Sequence, residues 1–306
     1  MKKVCFLSWH FNTPEIFLNY LIHMTPNKSG KWKDMEAVTN YKEADFIVVF
    51  DGFANHPLPA EKTIYIGQHP HVAPGLSPSF RTFEDRECLA AIRLDRHFNT
   101  GEWWIKYDYD YLSNLKPMPK SQDLICIMTY QTQNSMYAQR VKYMEHLISQ
   151  GIDVDLYGRP EASFNSNPIL SKKFKGSLGF NTPDGLKGEH TVGKEIIENY
   201  KYTLDYDVGK TKNYISERFY DSLLLWCKPL YFGSTNVGDI LPEKSFKFID
   251  IDDLSSVGLV KDTLAKESDY EDSLTDIAEA RDLLLNKYQT WPYVHEIINN
   301  IARYKV

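Results

Sequence analysis

Short, continuous runs of apolar residues separated by helical segments constrain the fold of this chain more than any other feature. Three such runs occupy residues 3–9, 44–50 and 63–67. The first run is followed by a segment with helical spacing, in which Thr13 is a capping residue and Pro14 lies in the first turn. Strands that are apolar throughout are buried on both faces, so this alternation predicts a parallel sheet covered by helices on both sides.

The alternation restarts after residues 116–122, a polar stretch with two prolines that has the composition of a linker. Later strand-like runs lie at residues 123–130, 152–158, 200–207 and 228–233. The sequence therefore predicts an α/β protein of two Rossmann-like doubly wound domains, residues 1–118 and 119–306, facing across a cleft. The last helix is a candidate to pack back on the first domain. Ligands of such sheets bind at the carboxyl ends of the strands, so we expect the functional site in this cleft.

Composition and charge exclude several classes of protein. The net charge of −6 argues against a nucleic-acid-binding surface, which needs a basic excess on one face. No apolar run reaches the roughly 18 residues of a membrane-spanning helix, and the apolar N-terminal segment is too short for a signal peptide. We therefore expect a cytoplasmic protein. The cysteines lie far apart without metal-site spacing, which predicts buried, reduced thiols at Cys5, Cys88, Cys126 and Cys227.

Residues 213–224, NYISERFYDSLL, predict a helix with an unusual entrance. Apolar residues recur at helical spacing from Phe219 onward, and Ser216 is a good capping residue. The first turn then carries Glu217 and Arg218. A helix N-terminus offers free N–H groups and partial positive charge, so an arginine there suits an anion such as a phosphate. A capped surface helix with a neighbouring ion pair is the alternative at this point.

The sequence also resembles a known family. Residues 200–246 contain YKYTLDYD, YISERF, KPLYFG and LPEKSF in the order and spacing of the donor-binding core of the α-1,3-fucosyltransferases. Upstream, AQRVKYMEHL, VDLYGR, IGQHPHVAPGL and TGEWWIKY match further elements of that family. The resemblance covers most of the chain and thins at residues 10–60 and after about residue 255.

The resemblance implies a GT-B glycosyltransferase with an N-terminal acceptor domain and a C-terminal domain for GDP-fucose. The implied reaction is an inverting transfer of L-fucose, or a related sugar, to a glycan hydroxyl, without a metal ion or other cofactor. It leaves open a peripheral membrane association through a glycolipid acceptor. By the same likeness, Arg140 and Arg218 stabilise the charge of the leaving diphosphate. The other implied donor-site residues are Tyr157, Gly158, Asp207, Tyr214, Ser216 and Glu217.

The sequence departs from the family pattern at positions that bind the donor or carry the general base. Arg218 stands where the family usually has lysine, and Asp207 keeps a carboxylate that is one methylene shorter. Gln68 occupies the position of the family's general base, a glutamate, and an amide cannot accept a proton from a hydroxyl at neutral pH. His69 or His71, in the same loop, is the alternative base that we favour. Carboxylates on neighbouring segments are further candidates: Glu84, Asp85, Asp95 and Glu102.

Two other functions stay open on the sequence. The chain is a non-catalytic binder of GDP-sugar or glycan if the loss of the base at Gln68 abolished turnover. It is a metal-dependent transferase if one of its two Asp-x-Asp patterns holds a divalent cation against the donor. These patterns lie at residues 108–110 and 205–207, both in stretches that alternate as half-exposed strands do.

Overall fold

The computed structural model describes residues 1–8, 11, 13–51, 58–69, 87–178, 193–207 and 209–305. Strands of these residues form two six-stranded sheets. The strands of the first sheet are β1 (Lys2–Ser8), β2 (Lys31–Trp32), β3 (Met35–Ala37), β4 (Phe46–Phe50), β5 (Thr63–Ile66) and β6 (Ala90–Ile92). Those of the second are β7 (Gln122–Thr129), β8 (Asp155–Arg159), β9 (Phe174–Gly176), β10 (Tyr200–Tyr206), β11 (Lys228–Phe232) and β12 (Lys247–Phe248).

The first sheet has the strand order β2-β3-β1-β4-β5-β6 and is parallel apart from the short β2–β3 pair. β1 and β4 lie at its centre, and the inner positions of both are buried throughout, as their continuous apolar runs predict. Side chains on one face of these strands join the large core, whereas Cys5, Leu7, Ile47 and Val49 form a small separate cluster on the other. The predicted parallel sheet, buried on both faces, is confirmed for this half of the chain.

The second sheet has the order β12-β11-β10-β7-β8-β9 and is parallel at every pair. The chain moves outward from β7 to β8 and β9, returns to the other side of β7 with β10, and continues to β11 and β12. The strand order therefore reverses between β7 and β10. A crevice forms outside the carboxyl ends of the strands at such a point, and ligands of doubly wound sheets bind there.

Helices flank both sheets. The α-helices of the described part are α1 (Pro14–Leu21), α2 (Tyr109–Asn114), α3 (Ser135–Ser149), α4 (Glu161–Ser166), α5 (Glu217–Leu224), α6 (Val257–Ala265), α7 (Leu274–Leu283) and α8 (Thr290–Asn299). Thr13 accepts a hydrogen bond from the Ile16 amide and caps α1, as predicted. Asn134 caps α3 in the same way through the Met136 amide. Among the described residues, no helix combines the length and the apolar character needed to cross a bilayer.

One strand prediction was wrong, and a second was right about the strand but wrong about its exposure. Residues 108–110 belong to the start of α2, where Asp108 accepts a hydrogen bond from the Tyr111 amide as the N-cap. Residues 205–207 do end a strand, but β10 is buried at six of its seven positions rather than half-exposed. The second sheet continues on both sides of β10 and helices cover its faces, so polar residues in this strand are enclosed as well.

α8 packs on the first sheet although it lies at the other end of the chain. The Trp291 ring is fully buried, meets the Phe6 ring edge-on at 5.0 Å, and donates from Nε1 to the Leu21 carbonyl at 2.9 Å. Farther along, the Ala91 amide donates to the Tyr304 carbonyl at 3.2 Å. The C-terminal segment is therefore part of the core of the first sheet. The division of the chain at residue 118 stays a prediction.

We expect Trp291→Ala to lower the free energy of unfolding by about 3–5 kcal/mol, since it empties a filled core position and removes a buried hydrogen bond. Met118→Ala is the control: Met118 is 45% exposed, and its replacement should change stability by no more than about 0.5 kcal/mol. Urea denaturation followed by tryptophan fluorescence and by circular dichroism measures both. Equal stabilities of the two variants would show that α8 does not contribute to the core.

Candidate functional site

Two arginines meet at the point where the strand order of the second sheet reverses. Arg140 lies on α3, which follows β7, and Arg218 lies on α5, which is reached after β10. Arg218 donates from Nη1 to the Tyr206 carbonyl at 3.1 Å, and Arg140 donates from Nη2 to the Asp207 carbonyl at 2.5 Å. Both guanidinium groups are thus fixed by consecutive carbonyls at the carboxyl end of one strand.

The charge of Arg140 is only partly compensated. The residue is 2% exposed, and within the described ranges no ion pair joins it to a carboxylate. Burial lowers its pKa, and the neighbouring charge of Arg218 lowers it further. Its Nε has no hydrogen-bond partner among the residues that the structure describes, and its guanidinium lies 4.7 Å from the Tyr137 ring. A bound anion would accept a hydrogen bond from the unpaired N–H group and would offset the repulsion between the two cations.

Asp207, which immediately follows β10, carries a buried carboxylate beside this pair. The Tyr231 hydroxyl donates a short hydrogen bond to it. Burial raises the pKa of Asp207 to about 6, although Ser216, Tyr231 and the charge of Arg218 each act in the opposite direction. Ser216 occupies the N-cap position of α5, as predicted, but its side chain makes no capping hydrogen bond to the helix. Its hydroxyl acts on Asp207 instead.

Glu217 is held by a lysine that the sequence analysis did not identify. The Lys194 amine lies 2.6 Å from the Asp221 carboxylate and 3.4 Å from that of Glu217. Burial alone would lower the pKa of Lys194, but the two carboxylates raise it above its ordinary value. Burial would likewise raise the pKa of Glu217, but Lys194 and Arg218 bring it below the ordinary range. Glu217 is therefore ionised beside Arg218.

A signal for this lysine exists in the sequence. Glu217 and Asp221 are four residues apart, so their carboxylates share one face of α5 and repel each other. Buried like charges at that spacing require a cation between them. The apolar spacing of α5 indicates that this face is buried. It does not indicate which lysine pairs with the two carboxylates.

Gly158 and Tyr157 have different surroundings. A cavity of about 40 Å³ lies at the carboxyl ends of β7 and β8. Residues that line it include Met128, Gly158, Lys194, Glu217 and Arg218. A Cβ at Gly158 would lie 1.9 Å from the Met128 carbonyl oxygen, so glycine is required there by strand packing. Tyr157 lies beside Tyr200 at the start of β10 and does not belong to the described lining of the cavity.

Gln68 serves as a link between two segments. Its amide nitrogen donates a short hydrogen bond to the Thr100 hydroxyl, and its amide oxygen accepts from the Thr100 amide at 3.0 Å. The neighbouring Asn99 side chain accepts from the Ile215 amide and donates to the Ile215 carbonyl, both at 2.9 Å. The segment after β5 is thereby tied to the loop that leads into α5.

His69 pairs with a buried aspartate. Its Nδ1 lies 2.5 Å from Oδ2 of Asp51, the residue that follows β4. The His69 ring lies 6.4 Å from the ring of Tyr214, which is buried next to Ser216. The charges of Glu102 and Glu217 act on His69 as well. The structure thus brings His69, Tyr214, Glu217 and Arg218 into one region between the two sheets.

Other candidate bases are placed differently. His71, Glu84 and Asp85 lie outside the described residues. Asp95 is on the surface, 3.1 Å from Arg93. Glu102 accepts from the Tyr20 hydroxyl at 2.8 Å, and burial raises its pKa.

The four aspartates of the Asp-x-Asp patterns have protein partners. Asp108 caps α2 and lies 3.2 Å from the Lys28 amine, and Asp110 accepts from the Asn27 amide. Asp205 accepts from the hydroxyls of Thr203 and Ser222, at 2.9 and 2.7 Å. Across the part of the chain that the structure describes, no group of three or more histidines, cysteines or carboxylates is arranged to hold a metal ion. As predicted, three of the cysteines are buried free thiols, whereas Cys88 is half-buried.

Comparison with known proteins gives a family and a fold. The family model described as glycosyltransferase family 10 (fucosyltransferase), C-terminal part, matches residues 118–274, just over half of the chain. Among solved structures, a glycosyltransferase from Rickettsia africae is 9% identical with a TM-score of 0.52, over 99% of this chain and 98% of that one. TarM of S. aureus is 10% identical with a TM-score of 0.50, over 84% and 54%.

An α1,3-fucosyltransferase solved with GDP-fucose is also similar, at 14% identity and a TM-score of 0.45 over 94% of this chain and 92% of that one. The likenesses to the Rickettsia enzyme and to TarM, together with two parallel doubly wound sheets, confirm the predicted GT-B fold.

Asp205 provides a test of the electrostatics of this region. Burial raises its pKa to about 7, far above the roughly 3.9 of an unfolded chain. The folded state therefore holds the proton more tightly, and ionisation of Asp205 destabilises the fold progressively as the pH rises from about 4 to about 7. We expect Asp205→Asn, which resembles the protonated acid, to gain stability relative to the native protein over this interval.

Denaturant midpoints at pH 5, 6, 7 and 8 measure this effect. The control is Asp252→Asn, because the Asp252 side chain is 59% exposed and its replacement should change stability by no more than about 0.5 kcal/mol. A constant difference for Asp205→Asn across the same series would show that the Asp205 charge does not cost stability.

Proposed function

The chain belongs to glycosyltransferase family 10, the fucosyltransferases, and from that premise we propose that it moves L-fucose from GDP-fucose to a hydroxyl of a glycan, with inversion at the anomeric carbon. The observation that supports this proposal best is the pair of guanidinium groups on the Tyr206 and Asp207 carbonyls. They lie at the crevice where a doubly wound sheet binds its nucleotide.

The two arginines would act on the leaving group. Negative charge accumulates on the diphosphate of GDP as the bond to the sugar breaks, and fixed donors in a dry site stabilise that charge better than water does. A guanidinium can bind two phosphate oxygens with two of its N–H groups. Arg140 and Arg218 are already oriented by backbone carbonyls, so little reorganisation accompanies the reaction. We propose that this fixed positive charge serves where other transferases use a divalent cation.

The other predicted donor residues have supporting roles in this proposal. Glu217, ionised beside Arg218 and fixed by Lys194, is suited to accept hydrogen bonds from sugar hydroxyls. Tyr214 and Ser216 lie between Asp207 and Glu217 in the sequence, in the segment that leads into α5. Gly158 would act by allowing β8 to approach β7 closely.

Replacing Arg218 tests the donor site. We expect Arg218→Ala to weaken GDP binding about 10- to 100-fold, because a hydrogen bond to a charged group contributes roughly 1.5–3 kcal/mol. Arg218→Lys keeps the charge without the fork and should bind with intermediate affinity. Calorimetry with GDP measures both. Arg303→Ala, at an exposed residue on the C-terminal tail, is the control and should bind as the native protein does.

Arg140→Ala should weaken GDP binding to a similar extent. Since Arg140 is buried, its circular dichroism and thermal midpoint must first show that the variant is folded. Unchanged GDP affinity in a folded Arg218→Ala variant would remove Arg218 from the donor site and with it the main support for this function.

Gln68 gives a specific reason to consider a binder that does not turn over. We expect the native protein to transfer fucose from GDP-fucose to a member of a glycan panel, and to do so equally well in EDTA. The matched variant is Gln68→Glu, which restores the family's carboxylate. Donor binding without transfer by the native protein, together with transfer by Gln68→Glu, would establish the binder. Loss of transfer in EDTA would establish a metal-dependent enzyme.

A further inference from the structure

Asp51 accepts hydrogen bonds from Gln68 and His69, the second and third residues after β5. Its Oδ1 accepts hydrogen bonds from the amides of Gln68 at 2.6 Å and His69 at 3.2 Å. Its Oδ2 lies 2.5 Å from Nδ1 of the His69 ring. The carboxylate is 4% exposed, and Asp51 itself has a φ of +54°, which is uncommon for a residue other than glycine. Such backbone strain is found most often at functional sites.

We propose that His69 is the general base of this transferase and that Asp51 is the positioning residue that makes it one. The proposal rests on the fucosyl transfer proposed above. It assigns the proton-transfer role to the residue after Gln68 and gives Asp51 a function that the sequence analysis did not consider.

The geometry decides which ring nitrogen takes the proton. A neutral imidazole has one N–H group and one lone pair. With Asp51 as the acceptor at Nδ1, the N–H group lies on that nitrogen and the lone pair on Nε2. The two amide hydrogen bonds to Oδ1 fix the carboxylate, so the ring cannot turn without losing its partner. An aspartate that orients a histidine in this way also stabilises the imidazolium that forms.

His69 is also fixed relative to the donor site. Through Gln68 and Thr100 its segment is joined to Asn99, and Asn99 binds both backbone groups of Ile215. Ile215 separates Tyr214 from the entrance of α5. Hydrogen bonds therefore join the segment of His69 to the entrance of α5, which carries Arg218, although the two come from opposite sheets.

Among the described residues, three carboxylates act on His69: Asp51, which follows β4, Glu102 from the segment after β6, and Glu217 from α5. Burial of the ring lowers its pKa, but the Asp51 hydrogen bond and these three charges together raise it above the ordinary value. Only the neutral ring can accept a proton. Turnover should therefore rise with pH through the His69 pKa, and a change that lowers this pKa should move the rise to lower pH.

The step balances as follows. The acceptor hydroxyl gives its proton to Nε2 of His69, and its oxygen forms a bond to the anomeric carbon of fucose. The bond from that carbon to the diphosphate oxygen breaks, and its electron pair leaves with GDP. The proton on His69 is then released to water, which restores the neutral ring. No oxidant, reductant or further reactant is needed.

The test compares His69→Ala, Asp51→Asn and Glu102→Gln with the native enzyme. Asparagine tolerates a positive φ, so Asp51→Asn keeps the backbone while removing the charge. We expect His69→Ala to lower kcat about 10²- to 10⁴-fold, with GDP affinity unchanged and partial rescue by added imidazole. Asp51→Asn should lower kcat less and move the acidic limb of its pH profile to lower pH. Glu102→Gln removes one of the charges that raise the His69 pKa, so it should move the acidic limb to lower pH without the loss of kcat expected for His69→Ala.

Three results would overturn the inference. They are a His69→Ala variant with native kcat, an acidic limb that Asp51→Asn leaves in place, and a loss of kcat in Glu102→Gln in place of His69→Ala. Each of these requires an active native enzyme. If the native protein binds GDP-fucose and transfers nothing, the proposed function itself has failed, so the two failures are distinguishable.

Discussion

Two guanidinium groups on consecutive carbonyls, one buried and one half-buried, are the interaction on which the site depends. Like charges that are taken out of water repel strongly and lose hydration, so such a pair needs compensation. The carbonyls of Tyr206 and Asp207 and the carboxylates of Asp207 and Glu217 supply only part of it. The orphaned Nε of Arg140 indicates where compensation is incomplete. The strand order of the second sheet brings the two arginines together, because it places α3 and α5 on either side of one crevice.

How much of the fold could be predicted depended on the length of each element. Strands with continuous apolar runs, such as residues 3–9 and 44–50, were located to within two residues because burial on both faces leaves a clear pattern. Strands of two or three residues were not predicted, because so few positions cannot display a hydrophobic periodicity. They include β2, β6, β9 and β12. The alternation at residues 108–110 misled for the same reason: three residues fit a strand and a capped helix equally well.

The site was predictable where it lies within one element and unpredictable where it joins several. The entrance of α5 carries its own signal in residues 216–218. Arg140, judged by its helix alone, is a solvated side chain, and only the family resemblance predicted the burial that the structure shows. The roles of Lys194 and Asp51 could not be predicted, because each depends on a hydrogen bond or ion pair with a residue at least 17 positions away. Pairings of that kind depend on how the two sheets fold, which no local pattern contains.

Gln68 shows how a change at the position of a catalytic glutamate fits a different arrangement. Its amide nitrogen donates to Thr100, whose hydroxyl lies 3.3 Å from that of Thr290, and Thr290 donates to the Gly101 carbonyl. In this series each group donates to the next, so the residue at position 68 must be a donor. Glutamine can donate through its amide nitrogen, whereas an ionised glutamate cannot donate. The amide therefore joins β5, the segment after β6 and α8 in one chain. With this position engaged in the frame, our proposal assigns the proton to the neighbouring His69, which Asp51 already holds.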